Sequence, residues 1–156
     1  MSRNKQLEVS AIRTGTVIDH IATEHTFHVA RILNLEAEPD TVLVAVNLDS
    51  GKLGKKGLIK VENKNLTQEM VNKIALVAPQ ATLNIIEDYT LVRKIRVEIP
   101  DKVEGILRCF NPNCITNVSA PNSRPKTLFY AQSKSPLQLR CHHCERVMSV
   151  GDMELL

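Results

Sequence analysis

Cys109-Phe110-Asn111-Pro112-Asn113-Cys114 and Cys141-His142-His143-Cys144 decide how this chain is organised, and they contain all four of its cysteines. Two short knuckles joined by a longer loop meet the needs of a tetrahedral metal site. Each knuckle bends the backbone so that two thiolates converge, and the intervening segment returns the chain to close the tetrahedron. Four thiolates leave no open coordination position, which describes a structural zinc rather than a catalytic one. The first knuckle has four residues between its cysteines, the wide end of the usual range, and the second is a plain C-x-x-C.

Other readings of the cysteines explain less. Two disulfides would need an oxidising compartment, and Met1-Ser2-Arg3-Asn4-Lys5-Gln6-Leu7-Glu8 shows no apolar run of a signal peptide. A redox C-x-x-C leaves Cys109 and Cys114 unexplained, and free buried cysteines need no paired spacing. His142 and His143 are surplus to four thiolates, either exposed or hydrogen-bonded to sulfur.

Working outward, the metal segment fills only the last third of 156 residues. A segment of about fifty residues has too little apolar surface to be very stable alone, which is why such modules use a metal. The N-terminal remainder must build its own core, so two domains are expected, residues 1–100 and a zinc-binding domain of residues 101–156. Aromatic residues make up only 3% and Trp is absent. The core is therefore aliphatic, and stacking platforms for single-stranded nucleic acid are scarce. A net charge of +3 admits an anionic ligand without demanding DNA or RNA. No apolar run approaches the length of a membrane span, so a soluble, cytoplasmic protein is expected.

Along the N-terminal part, Val9 to Ile21 is rich in β-branched residues and reads as a strand with a bend or bulge at Gly15. Thr23 to Leu35 reads as a helix capped by Thr23, with His28, Arg31 and Asn34 as a polar stripe amid apolar Phe27, Val29, Ala30, Ile32 and Leu33. Thr41 to Leu48 is the strongest strand, and its nearly continuous apolar character predicts a central position with much of both faces covered. A loop over Asp49–Gly57 leads to a strand at Leu58–Glu62. Thr67 caps a second helix that Pro79 ends. Strands follow at Thr82–Glu87 and Leu91–Ile99. The order β-α-β-β-α-β with a final extension is the split βαβ, or ferredoxin-like, arrangement: an antiparallel sheet with two helices on one face. The fold class is α+β, with a small all-β zinc domain after Pro100-Asp101-Lys102 and a polar, Pro/Ser-rich insert at Ser119–Ser135 between the knuckles.

No catalytic constellation is visible: no Ser/His/Asp pattern, no Walker motif, no dinucleotide fingerprint. Gly51-Lys52-Leu53-Gly54-Lys55-Lys56-Gly57 lacks the GK[ST] ending of a phosphate loop and reads as a solvated hairpin. Asp19 and His20 end the first strand, Lys60 lies in another and Lys94 in the last. Cations projecting from neighbouring strands could converge on polyphosphate, and a carboxylate could hold a ribose hydroxyl. Taken by itself, each lysine is more often a solvated edge residue.

Gly15-Thr16-Val17-Ile18-Asp19-His20, Gly57-Leu58-Ile59-Lys60, Ala78-Pro79-Gln80-Ala81-Thr82 and the C-x4-C…C-x2-C ending together resemble the regulatory chain of aspartate carbamoyltransferase, from about Leu7 to the C-terminus. The resemblance implies a non-catalytic subunit in pyrimidine biosynthesis. It implies homodimers that join two catalytic trimers through three regulatory dimers. It implies further that CTP, with UTP, inhibits and that ATP activates. By the same resemblance the effector pocket is Val9, Ala11, Ile12, Asp19, His20, Lys60, Asn84, Ile86, Tyr89, Leu91 and Lys94. Lys94 and His20 face phosphates, Asp19 and Lys60 face ribose or base, and backbone near Ile12 and Tyr89 reads the base edge. Leu91 stands where the family has valine, and Ser10 where a carboxylate is common. Asn111, Asn113 and Glu145 match positions that grip the catalytic chain. Phe110 departs from the more usual Cys-Pro. The competing reading is a zinc-ribbon nucleic-acid-binding protein, which accounts for the cysteines and the basic balance but not for the N-terminal domain.

Overall fold

In the computed structural model, which describes residues 11–156, the chain forms two compact units that part between Glu98 and Ile99. The first contains β1 (Gly15–Ala22), α1 (Thr26–Ile32), β2 (Val42–Ser50), β3 (Gly54–Glu62), α2 (Gln68–Val77), β4 (Thr82–Glu87) and β5 (Thr90–Arg96). The five strands pair antiparallel in the order β2-β3-β1-β4-β5. This is the expected ferredoxin-like sheet, with β5 added beside β4. Side chains alternate between faces along a strand. Ile18, Ile59 and Leu83 are direct cross-strand partners and buried, so their row marks the helix-covered face. Val29, Leu33, Ile74, Ala75 and Leu76 close the core from the helices, which makes it wholly aliphatic.

Several local expectations change. The bulge in β1 is not at Gly15. Gly15 is instead a point of close approach: at φ 148° an added Cβ would lie 2.1 Å from the Val61 carbonyl oxygen. The register shift comes later, between Ile18 and Ile21, where His20 adopts φ 56° and the Asp19 carboxylate accepts its N–H at 2.7 Å. A matching shift in β2 between Ala45 and Leu48 places Asn47 at φ 61°. Thr23 does not cap a helix. It opens a 3-10 turn (Thr23–His25), and its hydroxyl accepts the Asn47 N–H at 2.7 Å. The α-helix proper is shorter than Thr23–Leu35, and Phe27 is 59% exposed rather than packed. Thr67 does cap α2, accepting the Met70 N–H at 3.2 Å. The predicted loop over Asp49–Gly57 is largely strand, turning only at 51–53.

The largest correction concerns β2. The continuous apolar run predicted a central strand, yet β2 is an edge strand, and its residues Val42–Val46 are only half-buried. Apolar character shows that a strand is to be covered, not what covers it.

The second unit contains β6 (Lys102–Glu104), β7 (Leu107–Arg108), a single turn α3 (Ile115–Val118), β8 (Leu128–Lys134), β9 (Leu137–Cys141), β10 (Val147–Ser149) and β11 (Glu154–Leu155). Its main sheet runs β10-β9-β8-β6, and β11 pairs with β7. The segment expected as a polar insert carries β8, because Leu128 and Phe129 initiate a strand whose Phe129 is fully buried between Val103 and Cys141.

Candidate functional site

The thiolate site is built from two chain reversals. In the first knuckle the Cys114 N–H returns to the Asn111 carbonyl at 3.0 Å, and the Asn111 carboxamide oxygen accepts the Asn113 N–H at 3.1 Å. In the second, the Glu145 N–H returns to the Cys141 carbonyl at 2.9 Å, with Glu145 in the left-handed region at φ 63°. β9 delivers Cys141 next to β8, and the four sulfurs all lie within 4.8 Å of one another. Cys109 and Cys144 are 3.6 Å apart, Cys114 and Cys141 3.8 Å. Four sulfurs at the usual Zn–S length sit about 3.8 Å apart on the edges of a tetrahedron. The donor set therefore fits one tetrahedral ion, and no other cluster of potential metal ligands occurs among the described residues.

The electrostatics agree. Burial, reinforced by the neighbouring thiols, pushes Cys109 well above the ordinary thiol range and raises Cys141 as well. Burial acts in the same direction on Cys144. There the Arg146 N–H, the Asn111 side chain and the two facing thiols outweigh it and bring the group down to about 7. A cation entering this cluster would displace protons and replace crowded thiols with ion–thiolate bonds. His142 is exposed, and the His143 Nε2 lies 3.0 Å from the Lys126 carbonyl, so neither ring joins the sulfur cluster.

Of the residues matched to the catalytic-chain interface, Asn113 and Glu145 are exposed on the two knuckles, Glu145 facing Arg140 at 3.5 Å. Asn111 is 93% buried by its 7% exposure and serves the knuckle itself.

The second constellation lies on the face of the first sheet that no helix covers. Register puts Lys60, Val17, Asn84 and Lys94 in one row across β3, β1, β4 and β5. Direct partners share a face, and this row is offset by one residue from the buried Ile59-Ile18-Leu83 row. Three strand spacings separate the Lys60 and Lys94 backbones by about 14 Å. Asp19 lies on the same face beside Thr82, whose hydroxyl is 3.0 Å from the His20 Nδ1. Ile86 pairs with Leu91, and Tyr89 stands 68% exposed in the β4–β5 turn. The Tyr89 N–H donates to the Arg13 carbonyl at 2.8 Å, next to buried Ile12 and exposed Ala11. Val9 lies outside the described residues.

One member of this site was passed over in the sequence. Lys56 Nζ lies 2.9 Å from the Asp19 carboxylate. Its signal in the sequence is the lysine-rich Gly51–Gly57 run, whose spacing does not show that β3 begins within it. Burial raises the Asp19 carboxyl, but Lys56 and the His20 N–H overcome this and hold it below the usual carboxylate value. Burial lowers Lys60, partly offset by the Asp19 charge. The Asn84 Oδ1 is buried without a hydrogen-bond partner.

Comparison with known proteins gives this geometry a family. Residues 7–98 match the model of the aspartate carbamoyltransferase regulatory chain, allosteric domain, and residues 101–154 match the metal binding domain of the same chain. This chain belongs to the aspartate carbamoyltransferase regulatory-chain family. The curated regulatory chain of Pyrococcus abyssi is 54% identical over 92% of this chain and 93% of its own length. That of Thermococcus sibiricus is 54% identical with the same shares covered. That of Methanothermobacter thermautotrophicus is 44% identical over 99% of this chain and 97% of its own. The chain is thus a non-catalytic regulatory subunit of the pyrimidine pathway, with an allosteric domain and a metal-binding domain in which Cys109, Cys114, Cys141 and Cys144 cluster with the donor set of a structural metal. No helix among the described residues is long and apolar enough to cross a membrane.

Proposed function

We propose that residues 1–100 form a nucleotide-effector domain that binds CTP and UTP as inhibitors and ATP as activator, and that residues 101–156 hold zinc and grip the catalytic chain. The observation that carries this reading is the row of Lys60, Asn84 and Lys94 with Asp19, His20 and Lys56 on the helix-free face. Lys94 and His20 take the triphosphate, Asp19 and Lys60 the ribose or base, and the orphan acceptor on Asn84 the exocyclic amino group that CTP and ATP share. Ala11, Ile12, Ile86, Tyr89 and Leu91 shape the walls, and Val9, outside the described residues, belongs to the same effector-binding set. Asn113 and Glu145 present polar groups to the catalytic chain, while Asn111 acts by holding the knuckle.

The regulatory chain forms homodimers through the β2 edge, and three dimers join two catalytic trimers in the cytoplasm; nucleic acid has no part in this assembly. A half-buried apolar edge strand is an unfinished sheet. A groove of about 610 Å³ lined by Phe27, Ala30, Leu35, Val42 and Val44 runs beside it. An effector shifts the catalytic equilibrium only to the extent that it binds the two quaternary states differently.

The test is an aspartate saturation curve of the cognate catalytic trimer, alone and mixed with this chain and zinc, with and without CTP. A sigmoidal or CTP-sensitive curve on mixing supports the reading. No complex and no change in the curve would remove it, and salt-dependent binding of DNA or RNA would then favour the nucleic-acid alternative.

A further inference from the structure

We propose that Thr116 and Asn117, consecutive residues of α3, are the positioning residues of the metal centre: Thr116 by donating to a ligand sulfur, Asn117 by closing the wide first knuckle. The inference rests on the four cysteines holding a metal and goes beyond the ligand set itself.

Four residues between ligands leave the first knuckle longer than the two-residue loop of the second, so more backbone must be held still. The chain does this from just beyond the second ligand. Cys114 sits at the start of α3, and its carbonyl accepts the N–H groups of Asn117 at 2.8 Å and Val118 at 3.1 Å. That turn swings the Asn117 side chain back under the loop. Its carboxamide nitrogen donates both hydrogens, to the Cys109 carbonyl at 2.9 Å and to the Asn111 carbonyl at 2.8 Å. Two carbonyl acceptors determine which end of the amide faces them, because the oxygen would be repelled. One side chain thereby ties the first ligand, the middle of the loop and the helix after the second ligand.

Thr116 does a different task. It is 5% exposed, and its hydroxyl donates to the Cys114 sulfur at 3.2 Å. A hydroxyl donor shares the negative charge of a metal-bound thiolate and fixes the direction of its lone pairs. Groups of this kind behind the ligands typically change metal affinity by 10–100-fold when removed.

The experiment loads the full chain with Co2+ in place of zinc, reads the sulfur-to-cobalt charge-transfer and ligand-field bands, and follows metal release to a competing chelator. Wild type is expected to take one cobalt per chain with a tetrahedral four-sulfur spectrum; failure here overturns the metal reading itself. Thr116→Val keeps the shape and removes the donor. Its charge-transfer band should move to lower energy, because the sulfur lone pair is no longer stabilised, and Thr116→Ser should restore it. Asn117→Asp keeps the shape but turns an acceptor on the two carbonyls. It should speed release roughly 10–100-fold while leaving the charge-transfer energy in place, with Asn117→Ala showing the same trend more mildly. Wild-type spectra and release rates in Thr116→Val and Asn117→Asp would overturn the proposal. So would equal acceleration of release in both with no spectral shift, since that is what general destabilisation of the fold produces.

Discussion

The Thr26 hydroxyl of α1 occupies the space where a side chain on Gly57 of β3 would begin: a Cβ built there lies 1.7 Å from Thr26 Oγ1 and 2.7 Å from its Cβ and Cγ2. Both neighbours of β3 bulge at this level, β1 at Asp19–His20 and β2 at Val46–Asn47. The helix therefore seats directly on bare backbone.

Gly57→Ala should consequently destabilise the first unit by about 1–3 kcal/mol, the usual cost of overpacking. The measurement is denaturant unfolding, and a double-mutant cycle with Thr26→Ala should show part of the loss recovered. Additive losses would mean that the two residues do not meet.

Asp19 and Lys56 give the allosteric domain a pH dependence. The Asp19 carboxyl lies below its ordinary value of 3.8 in the folded chain. A depressed acid contributes stability that is complete above the unfolded value and is lost as pH falls through the lower folded value. Asp19→Asn should therefore cost roughly 1 kcal/mol near pH 7 and should flatten the stability profile below about pH 4.

Lys60 predicts the opposite edge of the pH range for effector binding. Burial places its folded value below 10.5. As pH rises through that lowered value the ammonium is lost, so affinity for a nucleotide triphosphate should fall earlier than an ordinary lysine would allow. An acceptor oxygen on the ribose or base that Lys60 faces favours the charged form, so binding in that range should take up protons. Calorimetry in buffers of different ionisation enthalpy reads this directly, and Lys60→Arg should abolish the uptake because a guanidinium stays charged.

Removal of the structural metal should dissolve the order of the second unit. Its core is small, centred on Val103, Leu107, Phe129, Leu139 and Met148, whereas a structural zinc supplies about 10–16 kcal/mol of binding energy to such modules. After verified metal loss, amide protection should disappear across residues 99–156, and the chain should release the catalytic trimers. Persistence of β8–β9 protection would show that the apolar core suffices.

Phe27→Glu tests the dimer edge. The ring is 59% exposed in the single chain, so the substitution should leave the folded secondary structure of the chain intact. It should shift the sedimenting species from dimer to monomer. An unaltered dimer would place the interface elsewhere.

Much of the fold was legible because its signals are local. Strand alternation, the Thr67 cap and the paired cysteine spacing each depend on residues near one another in the chain. The signals that misled were local too. Gly15 marked a special backbone position, but not that the need is close approach to Val61, while the bulge falls at His20, whose N–H donates to the Asp19 carboxylate. Thr23 has the chemistry of a cap, and only the neighbouring β2 bulge gives its hydroxyl a different partner. Lys56 was read as solvated because its ion pair crosses from β3 to β1.

Periodicity and short spacings are written along the chain, and they suffice for the two-part organisation, the pairing of the four cysteines into two knuckles and the order of strands and helices in the first unit. Only the tertiary structure decided that β2 lies at an edge, that Lys60, Asn84 and Lys94 share a row, and that Thr116 and Asn117 stand behind the thiolates. Those facts depend on which strands become neighbours and in what register. Register is set by packing among residues tens of positions apart, which no local pattern encodes.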